Sequence, residues 1–225
     1  MSSRDRRPTK SRRCRQARQV PLSFPEWGGA RVGAGRKRTA ERAQVPHRPR
    51  AEFASRFPVH VTMHCGAGLE SLRRRRSYNV VRDAIVAACD RFRARLVHFA
   101  VLSNHVHLIC EAESAEALSR AMKGLAVRIA KRLNASWART GRVFDDRYHV
   151  HVLRMPLEVK NALAYVLQNA RRHGAPFLGP DPCSSGVWFE GWRKVLWEDP
   201  LRTPCPLPRP RTWLLSVGWQ RHGWI

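Results

Sequence analysis

The alternation of hydrophobic and polar positions along the chain predicts four β-strands. Each is a short run rich in β-branched and aromatic residues, bounded by turn-forming residues. The predicted strands cover residues 58–63, 96–102, 105–110 and 148–153. Only Ser103 and Asn104 separate the second strand from the third, so these two strands should form a hairpin.

Apolar positions three or four residues apart predict three helices. The stripe of the first helix is Val81, Ala84, Ile85, Ala88 and Phe92. Ser114 can cap the second helix, with Glu116 in its first turn. The core positions of that helix are Leu118, Met122, Leu125, Ile129 and Leu133. The third helix is predicted to begin at Pro156 and to end at Gly174, before Pro176.

The resulting order is βαββαβ followed by a further helix. This order is typical of the ferredoxin-like α+β sandwich, in which an antiparallel sheet carries two helices on one face. In that topology the strand at 105–110 lies in the middle of the sheet. Its other face is open, and we expect the final helix to cover it.

The charge of the chain indicates a polyanionic partner. Its 225 residues fit one domain with tails, and they include 42 Lys and Arg against 17 Asp and Glu, a formal net charge of +25. Of the basic residues, 36 are Arg. A GC-rich coding sequence would explain the choice of Arg over Lys, but not the excess of cations over acids. Nucleic acid is the commonest partner of such a field.

The cysteines and the hydropathy exclude several classes of protein. Six scattered cysteines without a Cys-x-x-Cys pair exclude a zinc ribbon and do not resemble a disulfide framework. The basic N-terminus lacks the apolar segment of a signal peptide, and no apolar run reaches the length of a membrane span. We therefore expect a soluble protein in a reducing, intracellular compartment, without contact with a membrane.

Composition divides the chain into three regions. Residues 1–52 form a basic tail, expected to be disordered in isolation, whose first 50 residues hold 15 Lys and Arg against 3 Asp and Glu. Within it, the glycine-rich segment ending in Arg36, Lys37 and Arg38 could follow a phosphate backbone, or the tail could simply be a solubilising leader. Residues 53–180 form the folded domain.

Residues 181–225 form a Pro-rich extension with six of the eight tryptophans. Exposed indoles could stack on the bases of single-stranded DNA. For Trp188, Trp192 and Trp197 we instead expect the side chains to pack onto the folded domain. The role of the last twenty residues stays open.

The pair His105 and His107 is the first candidate for chemistry. Side chains alternate along a strand, so both imidazoles point to one face, while Val106 and Leu108 point to the other. Two imidazoles on a rigid strand can bind one divalent cation. On its own, a His-x-His pair is weak evidence for a metal.

The third helix supplies a candidate nucleophile. On a helical wheel Leu163, Val166, Leu167 and Ala170 form the core stripe. The polar face holds Asn161, Tyr165, Gln168, Asn169 and Arg172. A nearby cation and Arg172 would favour the phenolate of Tyr165, and the amide of Asn169 or Gln168 could be a third metal ligand. The alternative is an amphipathic tyrosine at a helix–sheet boundary.

With these elements in place, the chain resembles the single-tyrosine HUH transposases of prokaryotic insertion sequences, and among them the REP-associated tyrosine transposases. The resemblance covers about residues 57–185. The segments that match the family are His60-Val-Thr-Met, Leu102-Ser-Asn-His-Val-His-Leu-Ile, Gly141-Arg-Val-Phe-Asp-Asp-Arg-Tyr-His and Tyr165-Val-Leu-Gln-Asn-Ala-Arg-Arg. Many relatives have Pro where Ala170 stands, which leaves the chemical roles unchanged.

The resemblance implies an HUH endonuclease fold and a metal-dependent reaction on DNA. His105 and His107 match the histidines that hold Mg²⁺ or Mn²⁺, and Asn169 matches the amide that completes the site. Tyr165 matches the nucleophile that forms a 5′-phosphotyrosine link and frees a 3′-hydroxyl. The implied substrate is single-stranded or hairpin DNA of the palindromic-repeat type. The basic residues expected to contact this DNA are Arg36, Lys37, Arg38, Arg73, Arg74, Arg75, Arg76 and Arg172.

Three alternatives stay open at this point. A basic ferredoxin-like domain could bind nucleic acid without cutting it, although the strands lack an RNP-type aromatic motif. A nicking enzyme of replication or conjugation would use the same chemistry, but usually with larger accessory domains. An inactive relative would be expected to lose some of the four site residues. We expect a monomer or homodimer in the cytoplasm, associated with the nucleoid.

A second His-x-His pair, His149 and His151, lies on the last predicted strand. Only His149 has a counterpart in the family. A second metal site is one reading, but hydrogen-bonded strand histidines or phosphate contacts are favoured.

Overall fold

A five-stranded antiparallel sheet forms the centre of the protein. The computed structural model describes residues 52–169, 179–193 and 204–225. The strands are β1 (Val59–His64), β2 (Asp90–Arg91), β3 (Ala94–Val101), β4 (His105–Ala112) and β5 (His149–Val152). They are ordered β2-β3-β4-β1-β5, and every neighbouring pair is antiparallel. Without the short β2, this is the ferredoxin-like order, with β4 inside the sheet as predicted.

The helices of the described residues are α1 (Arg75–Val86), α2 (Ala115–Ser136), α3 (Pro156–Leu167) and the single turn α4 (Trp213–Ser216). Ser114 caps α2 as predicted, because its hydroxyl accepts a hydrogen bond from the Ala117 amide at 3.1 Å. Pro156 opens α3, and the Glu158 carboxylate accepts from the Met155 amide at 3.1 Å.

Each face of the sheet carries its own hydrophobic core. Residues from α1 and α2, such as Ile85 and Leu125, pack with Val106 and Leu108 of β4 on one face. Residues from α3, such as Leu163, pack on the other. The predicted arrangement, with two helices on one face and the tyrosine-bearing helix on the other, is therefore confirmed.

One predicted helix end is wrong, and a second lies outside the described residues. α1 ends at Val86, and Phe92, which was expected on its apolar stripe, is half exposed in the turn between β2 and β3. Phe92 and Arg93 have φ values of 57° and 58°, the left-handed conformation that a two-residue hairpin turn requires. α3 ends at Leu167, and the predicted continuation to Gly174 runs into residues 170–178, outside the described part of the chain.

The C-terminal segment packs on α3. Leu214, Leu215 and Trp219 are buried in the same core as Leu163 and Val166. As predicted, Trp188 and Trp192 pack onto the domain, one against each core, while Trp197 lies outside the described residues. None of the helices that the structure describes has the length and hydropathy needed to span a membrane.

Candidate active site

His105 and His107 lie on the β4 face that is turned away from α1 and α2. The alternation predicted from the sequence holds, since Val106 and Leu108 are fully buried in the opposite core. The Nε2 atoms of the two histidines are 3.1 Å apart. The Nδ1 of His105 lies 2.8 Å from Oδ1 of Asn104, an acceptor, so the tautomer with its hydrogen on Nδ1 can donate to Asn104 and keeps a lone pair on Nε2.

β1 supports this pair from the neighbouring strand. In the antiparallel register Thr62 is opposite His107, and His64 is opposite His105. Thr62 Oγ1 and His60 Nε2 lie 3.0 and 3.1 Å from the Nδ1 of His107. Burial, with a smaller contribution from the neighbouring His151, lowers the pKa of His60 to about 4, so its imidazole is neutral near pH 7.

Tyr165 of α3 closes the site from the other side. Its ring contacts His107 edge-on, with centroids 5.2 Å apart, and His60 at 5.9 Å. The side chain is 36% exposed, so a large substrate can reach it. Tyr78 and Tyr148 both pack against the core on the opposite face of the sheet. Burial raises the pKa of Tyr78 to about 12, which further disfavours its phenolate.

Asn169 follows Tyr165 by four residues and is 1% exposed. Neither its Oδ1 nor its Nδ2 has a hydrogen-bond partner among the described residues. The helical wheel predicted Tyr165, Gln168 and Asn169 on one polar face. Two residues beyond the end of α3 the Asn169 side chain is buried, whereas Gln168 stays partly exposed. A buried amide without a hydrogen-bond partner is energetically costly, so the Asn169 side chain is a candidate to bind a further group.

The donor atoms fit a divalent cation. Two nitrogens that bind one metal at roughly 2.1 Å are about 3.0–3.4 Å apart, which the Nε2 atoms of His105 and His107 satisfy. The amide oxygen of Asn169 is the kind of ligand that Mg²⁺ and Mn²⁺ accept. No cluster of three His, Cys, Asp or Glu that could hold a metal occurs in the described residues. A site of two imidazoles and one amide would not form such a cluster.

The sequence places this geometry in a known family. The sequence model of the IS200-like transposases matches residues 56–169, half of the chain, including all strands and helices around the site. The chain belongs to the IS200-like transposase family. No curated protein matches it in sequence.

One of two similar solved structures supports the fold of this transposase. It is similar to a REP-associated tyrosine transposase bound to a REP hairpin, with a TM-score of 0.54 and 17% identity over 74% of this chain and 99% of that one. A candidate transposase from Deinococcus radiodurans R1 matches with a TM-score of 0.38 and 14% identity, over 50% of this chain and 87% of that one. The first comparison shows that the transposase shares its fold with a REP-associated tyrosine transposase.

The second histidine pair of the transposase lies beside the first. His149 and His151 are exposed on the edge strand β5, on the same sheet face as His60 and Thr62. The ring of His149 is 6.0 Å from that of His64, which in turn lies 4.9 Å from His105. These rings extend the imidazole-bearing surface from β4 to the edge of the sheet.

The basic residues of the 73–76 run differ in their surroundings. Arg73 forms a bidentate ion pair with the buried Asp181 at 2.7 and 2.8 Å and also donates to the Val101 carbonyl. Its guanidinium therefore ties residue 181 to the sheet. Arg74 is exposed and pairs with Glu70, and Arg75 and Arg76 are exposed at the start of α1. Arg36, Lys37, Arg38 and Arg172 lie outside the described residues.

Two residues at the site were missed by the sequence reasoning, His60 and Thr62. The signal was present, because both occupy alternate positions of the first strand. Their partners could be identified only once the register between β1 and β4 was known. Strand order alone does not fix that register.

Proposed function

We propose that this transposase cleaves and rejoins single-stranded or hairpin DNA through a 5′-phosphotyrosine intermediate, with Tyr165 as the nucleophile. The observation that carries the proposal is the contact of the Tyr165 ring with His107, whose Nε2 faces the Nε2 of His105 at 3.1 Å. The phenol and the two imidazoles that a metal-assisted, tyrosine-dependent phosphoryl transfer would use thus lie together, and the proposal adds the buried amide of Asn169 to them.

In the proposed cleavage, the phenolic oxygen of Tyr165 attacks a phosphodiester. The bond between phosphorus and this oxygen forms as the bond to the 3′-oxygen breaks, and that oxygen leaves as a 3′-hydroxyl after gaining a proton. The reverse attack by a 3′-hydroxyl rejoins the DNA and releases Tyr165. The phosphotyrosine preserves the energy of the broken bond, so rejoining needs no nucleotide cofactor.

His105, His107 and Asn169 would hold Mg²⁺ or Mn²⁺, which supplies Lewis-acid stabilisation of the phosphate charge when bound. Gln168 is the alternative amide ligand, but its side chain is partly exposed, whereas the Asn169 amide is buried and lacks a hydrogen-bond partner among the described residues. The β4 strand and the hydrogen bonds of Asn104, His60 and Thr62 fix the two imidazoles before any ligand binds.

Charge and fold support a DNA hairpin as substrate. The net charge of +25 favours a polyanion, and the fold is shared with a protein that was solved with a REP hairpin. We assign catalysis to residues 53–180, and DNA contacts to the basic tail 1–52 and the exposed Arg74, Arg75 and Arg76. The enzyme would act in the cytoplasm, on the nucleoid.

The test is a covalent trapping experiment with the full chain. An end-labelled hairpin with a single-stranded flank is incubated with Mn²⁺, and the adduct is resolved on a denaturing gel. The wild type and Tyr148→Phe should form the adduct, whereas Tyr165→Phe should form none and keep its hairpin affinity. Mass spectrometry should place the nucleotide on Tyr165.

An adduct on Tyr148, or none on any tyrosine, would overturn the proposed mechanism. Hairpin binding without any cleavage, in wild type and Tyr165→Phe alike, would instead identify a binding module.

A further inference from the structure

We propose that His60 is a positioning residue that acts together with Thr62. Both accept the Nδ1 hydrogen of His107, so that the Nε2 lone pair of His107 points at the Nε2 of His105. This inference rests on the proposed function, because it concerns how the metal-binding imidazole is oriented. His60 itself touches neither the DNA nor the metal in this scheme.

The proton on His107 decides whether the site can bind a cation. A neutral imidazole carries its hydrogen on Nδ1 or on Nε2, and only the Nδ1 form leaves a lone pair on Nε2. In the other form, His107 would donate from Nε2 to His105 and accept from the Thr62 hydroxyl at Nδ1. That network is closed and leaves no site for a cation. Some feature must therefore favour the Nδ1 form.

His60 supplies that feature. Its Nε2 lies 3.1 Å from the Nδ1 of His107. In the proposed arrangement His60 carries its own hydrogen on Nδ1, so its Nε2 accepts from His107. If both facing nitrogens lacked a hydrogen, their lone pairs would repel at this distance. The His107 hydrogen between them removes that repulsion, and Thr62 Oγ1, 3.0 Å away, can share it.

The backbone fixes this arrangement. Thr62 is the register partner of His107, and His60 lies two residues further along β1 on the same face. The ring of His60 also packs edge-on against Tyr165, with centroids 5.9 Å apart. His60 therefore contacts both the proposed nucleophile and a proposed metal ligand, and it holds them in a fixed relation.

Two substitutions separate the packing of His60 from its acceptor. His60→Phe keeps a ring against Tyr165 and His107 but removes the acceptor, whereas His60→Gln keeps an acceptor and loses the ring. His151→Phe is the matched control, since His151 is the register partner of His60 on β5 but is exposed. Thermal unfolding of each full-length variant establishes that it is folded.

The first readout is Mn²⁺ affinity without DNA, from the electron paramagnetic resonance signal of free Mn²⁺. His60→Phe should bind Mn²⁺ roughly tenfold to 100-fold more weakly than the wild type, the usual effect of removing a hydrogen-bond partner of a ligating histidine. His60→Gln should retain most of the affinity, and His151→Phe should equal the wild type. Thr62→Val combined with His60→Phe should weaken binding further.

The second readout is the position of the His107 hydrogen in the metal-free protein, from ¹⁵N chemical shifts of its ring. The wild type and His60→Gln should carry it on Nδ1, and the double variant should lose this preference. Wild-type Mn²⁺ affinity in His60→Phe, or an unchanged hydrogen position in the double variant, would overturn the inference. A wild type that forms no DNA adduct but carries the hydrogen on Nδ1 would defeat the proposed function and leave the positioning intact.

Discussion

The amide of Asn169 is the group whose surroundings bear most directly on the proposed metal site. It is buried, and its oxygen and nitrogen both lack a hydrogen-bond partner in the described part of the chain. Leaving such a group unsatisfied costs on the order of 1–3 kcal/mol. The protein tolerates this cost at a position one turn beyond its exposed tyrosine, where the proposed metal site would use the oxygen.

Asn169→Leu should therefore raise the free energy of unfolding of the metal-free protein by about 1–2 kcal/mol, because leucine has the same branching without polar atoms. The same change should abolish the stabilisation by Mn²⁺. Urea unfolding with EDTA and with Mn²⁺ measures both effects. Gln168→Leu is the control and should keep the Mn²⁺ effect. Loss of that effect in Gln168→Leu instead would identify Gln168 as the ligand.

His98 should make stability depend on pH. This residue lies on β3, and its ring packs against that of Phe189. Burial lowers the pKa of His98 to about 4, below the ordinary 6.5. Between these values the unfolded chain binds a proton that the folded protein does not. The free energy of unfolding should therefore be constant above pH 7 and fall by roughly 1–3 kcal/mol toward pH 4.

Urea unfolding at pH 7 and pH 5 checks this prediction. His98→Gln should show a smaller decrease than the wild type, and His60 should account for part of the remainder, since its pKa is lowered in the same direction. The exposed His222, changed to Gln, should leave the decrease unchanged. Equal decreases in wild type and His98→Gln would contradict the assignment to His98.

The sequence predicted the placement of a side chain correctly where that placement depends on a single strand or helix. The alternation along a strand was enough to place His105 and His107 on one face and Val106 and Leu108 on the other. His60 required a second strand in a defined register, and the burial of Asn169 required the tertiary structure around the end of α3. Neither follows from local periodicity.

At the scale of elements, the C-terminal segment is the feature that sequence patterns did not reveal. α4 is held by the 4% exposed Glu111 of β4, whose carboxylate accepts from the amides of Arg211 and Thr212 and from the Thr212 hydroxyl at 2.7–3.0 Å. From the sequence alone, a glutamate at the end of an apolar strand is expected to be exposed to solvent. Glu111 fixes the C-terminal segment only because Thr212, more than a hundred residues later, folds back against β4.

Glu111→Gln should release this segment, because an amide cannot accept from all of these donors and turns its own hydrogens toward one of them. We expect a loss of about 2–3 kcal/mol in stability, the value for hydrogen bonds to a charged group. Amide hydrogen exchange over residues 211–219 should become faster. Glu113→Gln, on an exposed pair with Arg93, should change stability by less than about 0.5 kcal/mol. Unchanged exchange in Glu111→Gln would show that apolar packing alone holds α4.

The helix and strand boundaries also depended on strand pairing, which local sequence patterns do not contain. Phe92 fits the helical stripe of α1, yet the chain reverses there through two non-glycine residues with positive φ. Such residues carry no turn signature, because Gly or Asn usually occupies these positions. Pairing of β2 with β3 outweighs the local preference.

Across the whole molecule, charge is unevenly distributed. The first 50 residues carry a net charge of +12, nearly half of the total of +25. This charge is a sequence property that needs no fold, and it was fully predictable. By contrast, Arg73, part of the most basic short run in the folded region, is committed to the internal ion pair with Asp181.

Deleting residues 1–50 should weaken hairpin binding and make its salt dependence shallower, by about 0.7–0.9 in the log–log slope for each DNA phosphate that the protein no longer neutralises. A combined Arg75→Ala and Arg76→Ala variant is the comparison, and it should lower the slope by at most about twice that amount. Fluorescence anisotropy at several salt concentrations measures both. An unchanged slope after the deletion would remove the tail from the DNA interface.

The packing of Leu214, Leu215 and Trp219 on α3 also sets an order of events during synthesis. The ribosome synthesises Tyr165 about fifty residues before it reaches Leu214, the first of these three residues. A nascent chain would thus present its basic segment and its histidine strand while the helix that carries the proposed nucleophile still lacks part of its apolar support. Under the proposed mechanism, an incomplete polypeptide would bind DNA before it could cleave it, so translation itself would delay strand scission until the C-terminal segment has packed on α3.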